Sequence, residues 1–252
     1  MNRNILLVSL QLVIVVYLTI CGFFFFIQDD ILFKPEKLDL DYAYNYPFEF
    51  EEFFFEVDVD TELNGILAKA DSSRGLIFFC HGNQGSVQTD PFKFTTFLQR
   101  GFDVFYFDYR GYGKSDGFIG NENQLIEDVD LLYREMLKRY PENKITILGY
   151  SLGSGIATRL AAMHDPRNLM IWTPYYSMVD MKNMRYPFLP DFLLKFPLET
   201  NENIQKVDEP EAIFYAELDE VLPVDRALGL NQYLKEGDEY FILEGQRHGG
   251  VY

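Results

Sequence analysis

Cysteine, histidine and basic side chains are the scarce residues of this chain. Its 252 residues include two cysteines, three histidines, and 22 Lys and Arg against 39 Asp and Glu. Cys21 lies inside an apolar N-terminal run and Cys80 ends an apolar strand pattern. The two therefore supply neither a disulfide framework nor a thiolate metal cluster, and two buried thiols are expected, with no metal and no organic cofactor. The formal net charge of −17 repels phosphate backbones, which excludes nucleic acid as a partner. It also disfavours broad electrostatic docking to anionic lipid, so a membrane contact has to be hydrophobic. No internal repeat or low-complexity tract follows residue 27. The chain is instead rich in apolar mass. At 48% hydrophobic and 17% aromatic, it can fill one domain core without staples.

The longest apolar stretch is Ile5–Ile27, "ILLVSLQLVIVVYLTICGFFFFI", with no charge over 23 positions. At about 1.5 Å per residue this is long enough to cross a hydrocarbon core. A cleaved signal peptide is the alternative, but it would have a shorter apolar region and a small-x-small site after it. The expected organisation is a single-pass anchor over 1–27, a polar aromatic connector over 28–50 with Pro35 and Pro47, and a domain over 51–252. Arg3 precedes the run and Asp29 and Asp30 follow it. The positive-inside rule then puts the domain on the non-cytoplasmic side, with Lys34 and Lys37 partly countering.

Beyond the connector, strand and helix patterns alternate. Phe53–Val59 and Leu63–Ala68 flank "DTELNG" as a hairpin. Leu76–Cys80 is a continuous apolar run, as in a buried parallel strand. Strands are expected at Phe102–Phe107, Ile145–Tyr150, Leu169–Thr173, Ala212–Ala216 and Tyr240–Leu243. Helices are expected at 90–99, 121–139, Gly153–Met163 and Val224–Leu234. A hairpin followed by repeated β–α units predicts an α/β domain, a mostly parallel doubly wound sheet with helices on both faces. Prolines and aromatics break the repeat over about 174–205. An insertion there leaves the carboxyl edge of the sheet, where ligands bind, and reads as a short lid.

"ITILGYSLGSGIATRLA" places Ser151 where a strand period gives way to a helix period. Glycines at 149 and 153 let strand and helix approach, leaving the serine exposed on a tight turn at a helix N-terminus. The Leu152 amide then faces any oxyanion formed there. A serine needs a base to act as nucleophile. Three histidines are candidates. His164 ends the following helix and reads as a surface cap. His81 opens "HGNQGS" after the first buried strand and reads as structural, and His248 follows the last strand. Asp219, in "FYAELDEVLP", is the acid expected to orient His248, with Asp225 and Glu217 as alternatives. The order Ser151, Asp219, His248 is that of one hydrolase class. The backbone amide of Asn83 is the expected second oxyanion donor.

Taken together, "CHGNQGS", "FDYRGYGKSDG", "LGYSLGSGIATRLA" and "ELDEVLPVDRA" resemble the α/β-hydrolase superfamily. Within it they are similar to a small-lid, membrane-associated group that includes depalmitoylating thioesterases, lysophospholipases and bacterial hydrolases with one N-terminal anchor. The connector "QDDILFKPEKLDLDY" is similar too, and the resemblance covers nearly the whole chain. It implies an α/β-hydrolase fold and a serine hydrolase with Ser151, Asp219 and His248 as triad and Asn83 and Leu152 as oxyanion hole. Asp108, Arg110 and Gly111 match the group's structural turn. Similar chains continue into a helix after the histidine loop, whereas here Tyr252 follows His248 by four positions, so either the chain is truncated or other contacts hold that loop. Three functions follow as expectations: an ester or thioester hydrolase of acyl or lipid-type substrates, a peptidase or amidase with the same triad, or an idle membrane-anchored scaffold.

Overall fold

The computed structural model describes residues 3–89 and 92–251. Eight strands form one sheet: β1 (Phe50–Asp58), β2 (Thr61–Ala68), β3 (Leu76–Cys80), β4 (Asp103–Phe107), β5 (Ile145–Tyr150), β6 (Asn168–Trp172), β7 (Glu211–Ala216) and β8 (Glu239–Leu243). Their spatial order is β8-β7-β6-β5-β3-β4-β2-β1. β2 runs antiparallel to β1 and to β4, and every other pairing is parallel. Every residue of β3 and of β4 is buried, as continuous apolar runs require when both faces of a sheet are covered.

Alternate residues of these strands feed two cores. Phe78, Phe105 and Phe107 face one side with Tyr133 of α3 (Glu122–Leu137) and Ile156 of α4 (Leu152–Ala161). Phe79, Tyr106 and Trp172 face the other with Phe94 of α2 (Phe92–Gln99). Residues 90 and 91 of the expected 90–99 helix lie outside the described residues.

Three expectations are modified. α1 covers Arg3–Leu32 and so continues past Ile27, because the apolar residues Ile31, Leu32 and Phe33 follow Asp29 and Asp30 and Pro35 is the first helix-breaking residue. The 28–50 stretch is also tied down. Lys34–Pro35 pairs in parallel with Gln84–Gly85, and Tyr44, Tyr46 and Phe48 stack in a row. The helix expected over 224–234 is a single α turn, α7 (Val224–Ala227), followed by 3₁₀ turns over Leu228–Tyr233. Gly229 and Asn231, both weak helix formers, sit at that change.

The 174–205 segment leaves β6 at its carboxyl end. It contains α5 (Met178–Arg185), a 3₁₀ turn at Asp191–Leu193 and the short α6 (Thr200–Asn203). It packs along the C-terminal part of α1. Gln28 of α1 bonds both ways with it: its Nε2 donates to Leu193 O at 3.1 Å and its Oε1 accepts from Lys195 N at 2.8 Å. The Lys195 ammonium reaches Asp29 at 2.7 Å, and the rings of Phe33 and Phe196 meet edge to face with centroids 4.9 Å apart. α1 itself is long and apolar enough to cross a membrane.

Candidate active site

β5 ends at Tyr150 and α4 begins at Leu152, so the whole turn is Ser151. Its φ of 52° and ψ of −118° are strained for a residue with a Cβ. Close packing enforces the turn. A Cβ at Gly153 would sit 2.0 Å from Cys80 O, and one at Gly149 would sit 2.4 Å from Gly153 O. Only bare backbone lets α4 lie this close to β3 and β5. Ser151 N–H donates to Trp172 O at 3.0 Å, which anchors the turn to β6, and the buried Oγ faces His248 and the cavity.

His248 lies across from it, in the turn after β8. Its Nε2 is 2.9 Å from Ser151 Oγ and its Nδ1 is 2.7 Å from Asp219 Oδ2. A carboxylate only accepts, so Nδ1 carries the proton and Nε2 offers its lone pair to the serine hydroxyl. The other Asp219 oxygen accepts from Val221 N at 2.9 Å and Leu222 N at 2.7 Å. These bonds fix the carboxylate, whose side chain is 3% exposed. The two alternative acids are elsewhere: Asp225 is exposed on α7, and Glu217 accepts from Gly245 N at 2.7 Å. That bond helps hold the histidine loop, together with Leu218 N to Gln246 O at 2.8 Å and Tyr150 OH to His248 O at 3.2 Å.

The other histidines stand apart. His81 is buried, with Nδ1 2.7 Å from Gly82 O and its ring against Tyr109 at 4.1 Å between centroids. His164 corrects an expectation. It lies beyond the end of α4, is largely covered, and pairs with Asp130 of α3 and more distantly with Glu142. Its ring is held inward by two carboxylates that sequence spacing did not bring together.

Asn83 and Leu152 border the same cavity as Ser151. Asn83 is held by its carbonyl, which accepts from Tyr112 OH and Lys34 N at 2.8 Å each, and by its side chain, which donates to Leu32 O at 3.1 Å. Asp108 lies just behind, buried, with Oδ1 accepting from Val87 N at 2.8 Å. Burial pushes its carboxyl well above the usual range, partly offset by that bond. Arg110 turns the other way and forms a two-pronged pair with Asp128 of α3 at 2.6 and 2.8 Å.

The cavity has a volume of about 210 Å³. Its walls come from α1 (Gln28, Ile31), the 174–205 segment (Met181, Leu194, Phe196) and Leu222 after β7. None of the described residues lining it is acidic, and its cations, Lys182 and Arg185, are turned to protein partners: Lys182 to Asp191 and Leu189 O, Arg185 to Val221 O. Sequence reading left the substrate-binding residues open. An α1 wall had no sequence signal, because the apolar run reads as lipid-facing throughout.

The family model described as serine aminopeptidase, S33 (Hydrolase_4), matches residues 71–206, more than half of the chain. The chain is an α/β-hydrolase. Alpha/beta hydrolase domain-containing protein 17C of Mus musculus is 26% identical over 228 residues, covering 87% of this chain and 69% of that protein. Lysophosphatidylserine lipase ABHD12 of Danio rerio is 30% identical over 175 residues, 60% of this chain and 45% of that one. Among solved structures, the Pyrococcus furiosus esterase Pf2001 superposes with a TM-score of 0.68 at 18% identity, covering 86% of this chain and 89% of the esterase. That identity speaks for the fold alone. The α/β-hydrolase sheet, its helical faces and its N-terminal apolar helix are thus as the sequence patterns predict.

Proposed function

We propose that this α/β-hydrolase cleaves carboxylic esters or thioesters of acyl or lipid-type substrates through an acyl-enzyme on Ser151. The observation that carries the reading is the linked pair of contacts, Ser151 Oγ to His248 Nε2 and His248 Nδ1 to Asp219 Oδ2, at the mouth of an apolar cavity. Ser151 Oγ attacks the acyl carbonyl while His248 Nε2 takes its proton. The carbonyl oxygen becomes an oxyanion held by the backbone amides of Asn83 and Leu152. As the tetrahedral species collapses, the carbon–oxygen or carbon–sulfur bond breaks and His248 returns the proton to the leaving alcohol or thiol. A water then attacks the acyl-enzyme, giving its proton to His248, and the acid departs as Ser151 recovers its hydrogen. Asp219 keeps the imidazole in the required tautomer and stabilises its charged form. No step uses a metal or organic cofactor.

The family's aminopeptidase description supports amide cleavage as a second reading. An aminopeptidase must hold a substrate ammonium group, and the described residues lining the cavity offer no carboxylate for it, so esters are favoured. α1 is inferred to anchor the chain in a single pass, with the hydrolase domain over 51–252, the 174–205 segment as its lid, and the domain on the non-cytoplasmic side.

The test is hydrolysis of acyl esters of increasing chain length by the full chain in detergent, beside aminoacyl amides and beside Ser151→Ala. The expected outcome is ester hydrolysis that peaks at medium or long chains, is absent from the variant and exceeds amide hydrolysis. A preference for amides would move the reading to a peptidase. Activity equal in the variant would remove Ser151 from the chemistry.

A further inference from the structure

Resting on that hydrolase reading, we propose that α1 is a wall of the acyl site as well as an anchor, and that the substrate is a single-chain amphiphile entering sideways from the bilayer α1 crosses. Three observations carry this. First, Phe24, Phe25, Gln28, Ile31 and Leu32 of α1 line the cavity that ends at Ser151. Without α1 the cavity would be an open trough. Second, α1 is not free to swing away, because Gln28 and Asp29 are bonded to Leu193 and Lys195.

Third, the lid reaches down α1 to membrane depth. Tyr17 OH donates to Phe188 O at 3.0 Å, and Phe24 packs on Tyr186 with ring centroids 4.8 Å apart. Tyr17 lies ten residues before Ile27, about 15 Å along the helix axis. The uncharged run Ile5–Ile27 makes about 33 Å of helix, little more than the roughly 30 Å of a hydrocarbon core, so a span uses nearly all of it. The helix can span only if the part beside the lid also lies in lipid. The lid tip suits that position: Phe188 is 49% and Phe192 84% exposed. The Phe188 carbonyl is satisfied by Tyr17, as backbone in lipid must be, and the nearby Lys182 charge is paired with Asp191. The cavity volume of about 210 Å³ falls below the roughly 300–1,000 Å³ usual for drug-sized ligands. It therefore takes one acyl chain, drawn in along α1, and its carbonyl stops at Ser151.

The experiment uses the full chain in phosphatidylcholine vesicles with two esters: water-soluble p-nitrophenyl acetate, and p-nitrophenyl palmitate dissolved in the bilayer. Ile31→Trp, which fills the cavity from the α1 side, is expected to lower the ratio of palmitate to acetate turnover at least tenfold. Val13→Trp, on a lipid-facing turn of α1, is expected to leave that ratio at the wild-type value. An unchanged ratio in Ile31→Trp, with both activities still lost in Ser151→Ala, would overturn the α1 wall and spare the hydrolase. A second readout needs no turnover. The fluorescence of Phe192→Trp is expected to be quenched by brominated phosphatidylcholine well beyond the wild-type signal of Trp172. Quenching no greater than that of the wild type would overturn membrane entry, even if Ser151 proved to hydrolyse nothing.

Discussion

Gly149 and Gly153 show how single residues set the chemistry available here. Neither leaves room for a methyl group against the facing carbonyls, and it is this closeness that forces Ser151 into its positive φ. Asp219 acts through another residue, by holding the His248 ring. Asp219→Asn keeps the shape but reverses the hydrogen-bonding demand on Nδ1, so the proton moves to Nε2 and blocks acceptance from Ser151. The expected result is a fall in kcat on the order of 10⁴, with KM little changed, measured on the preferred ester. Glu211 at the start of β7 offers a different single-residue test. Its Oε2 is buried with no hydrogen-bond partner among the described residues, while Lys235 reaches only Oε1, at 3.2 Å. Burial pushes its carboxyl up to about 7, against the pull of Lys235. A raised folded pKa means that the folded chain holds this proton more tightly than the unfolded chain. The stabilising contribution is therefore complete below about 4.5, the ordinary value, and is lost as pH rises through about 7. Glu211→Gln removes the loss. The Tm gain of the variant over wild type is expected to grow from pH 5 to pH 8, reaching at most about 3 kcal/mol of stability. A gain independent of pH would assign the burial cost to another group.

At the scale of elements, α3 and the loop after β4 are joined by one buried ion pair. Arg110 is 8% and the Asp128 side chain 6% exposed, and the two groups meet in two bonds. Among the described residues, removing Asp128 leaves Arg110 beside only the exposed Asp58 carboxylate, 3.7 Å away. Asp128→Ala is expected to lower stability by about 3–5 kcal/mol, and adding Arg110→Met is expected to restore much of it. Thermal unfolding of the two variants checks this. An equal loss in the double variant would mean that the pair holds α3 by shape rather than by charge. β3, β5 and α3 were readable within a few residues, because β3 and β5 are short runs buried almost throughout and α3 repeats its burial every third to fourth residue. The turns after α7 and the true end of α1 were not. Their geometry depends on Gly229, where a Cβ would sit 3.2 Å from the Tyr176 ring, and on lid contacts from more than 160 positions away in the chain.

For the whole molecule, charge and apolarity are segregated. Residues 5–27 carry no charge, while the chain as a whole carries −17. On the proposed membrane reading, the acidic domain resists burial in lipid and the contact is confined to α1 and the lid beside it. If Arg3 sets the orientation, protease added outside bacterial spheroplasts expressing the chain is expected to digest the hydrolase domain while a cytosolic control survives. Survival of the domain would place it inside, and would give Lys34 and Lys37 the greater weight.

The sequence by itself determined the class of fold, the elbow serine, and the histidine and acid that stand beside it. Each is written in a local pattern: a period, a glycine pair, or a loop following a strand in a fixed order. Only the tertiary structure decided how the acid and base are held, that His164 turns inward to Asp130, and that the cavity borrows a wall from α1. Those outcomes depend on surfaces brought together from separate parts of the chain, 29 residues apart for Asp219 and His248 and 34 for Asp130 and His164. No local period records such a meeting, and an apolar side chain reads the same whether it faces lipid or a substrate.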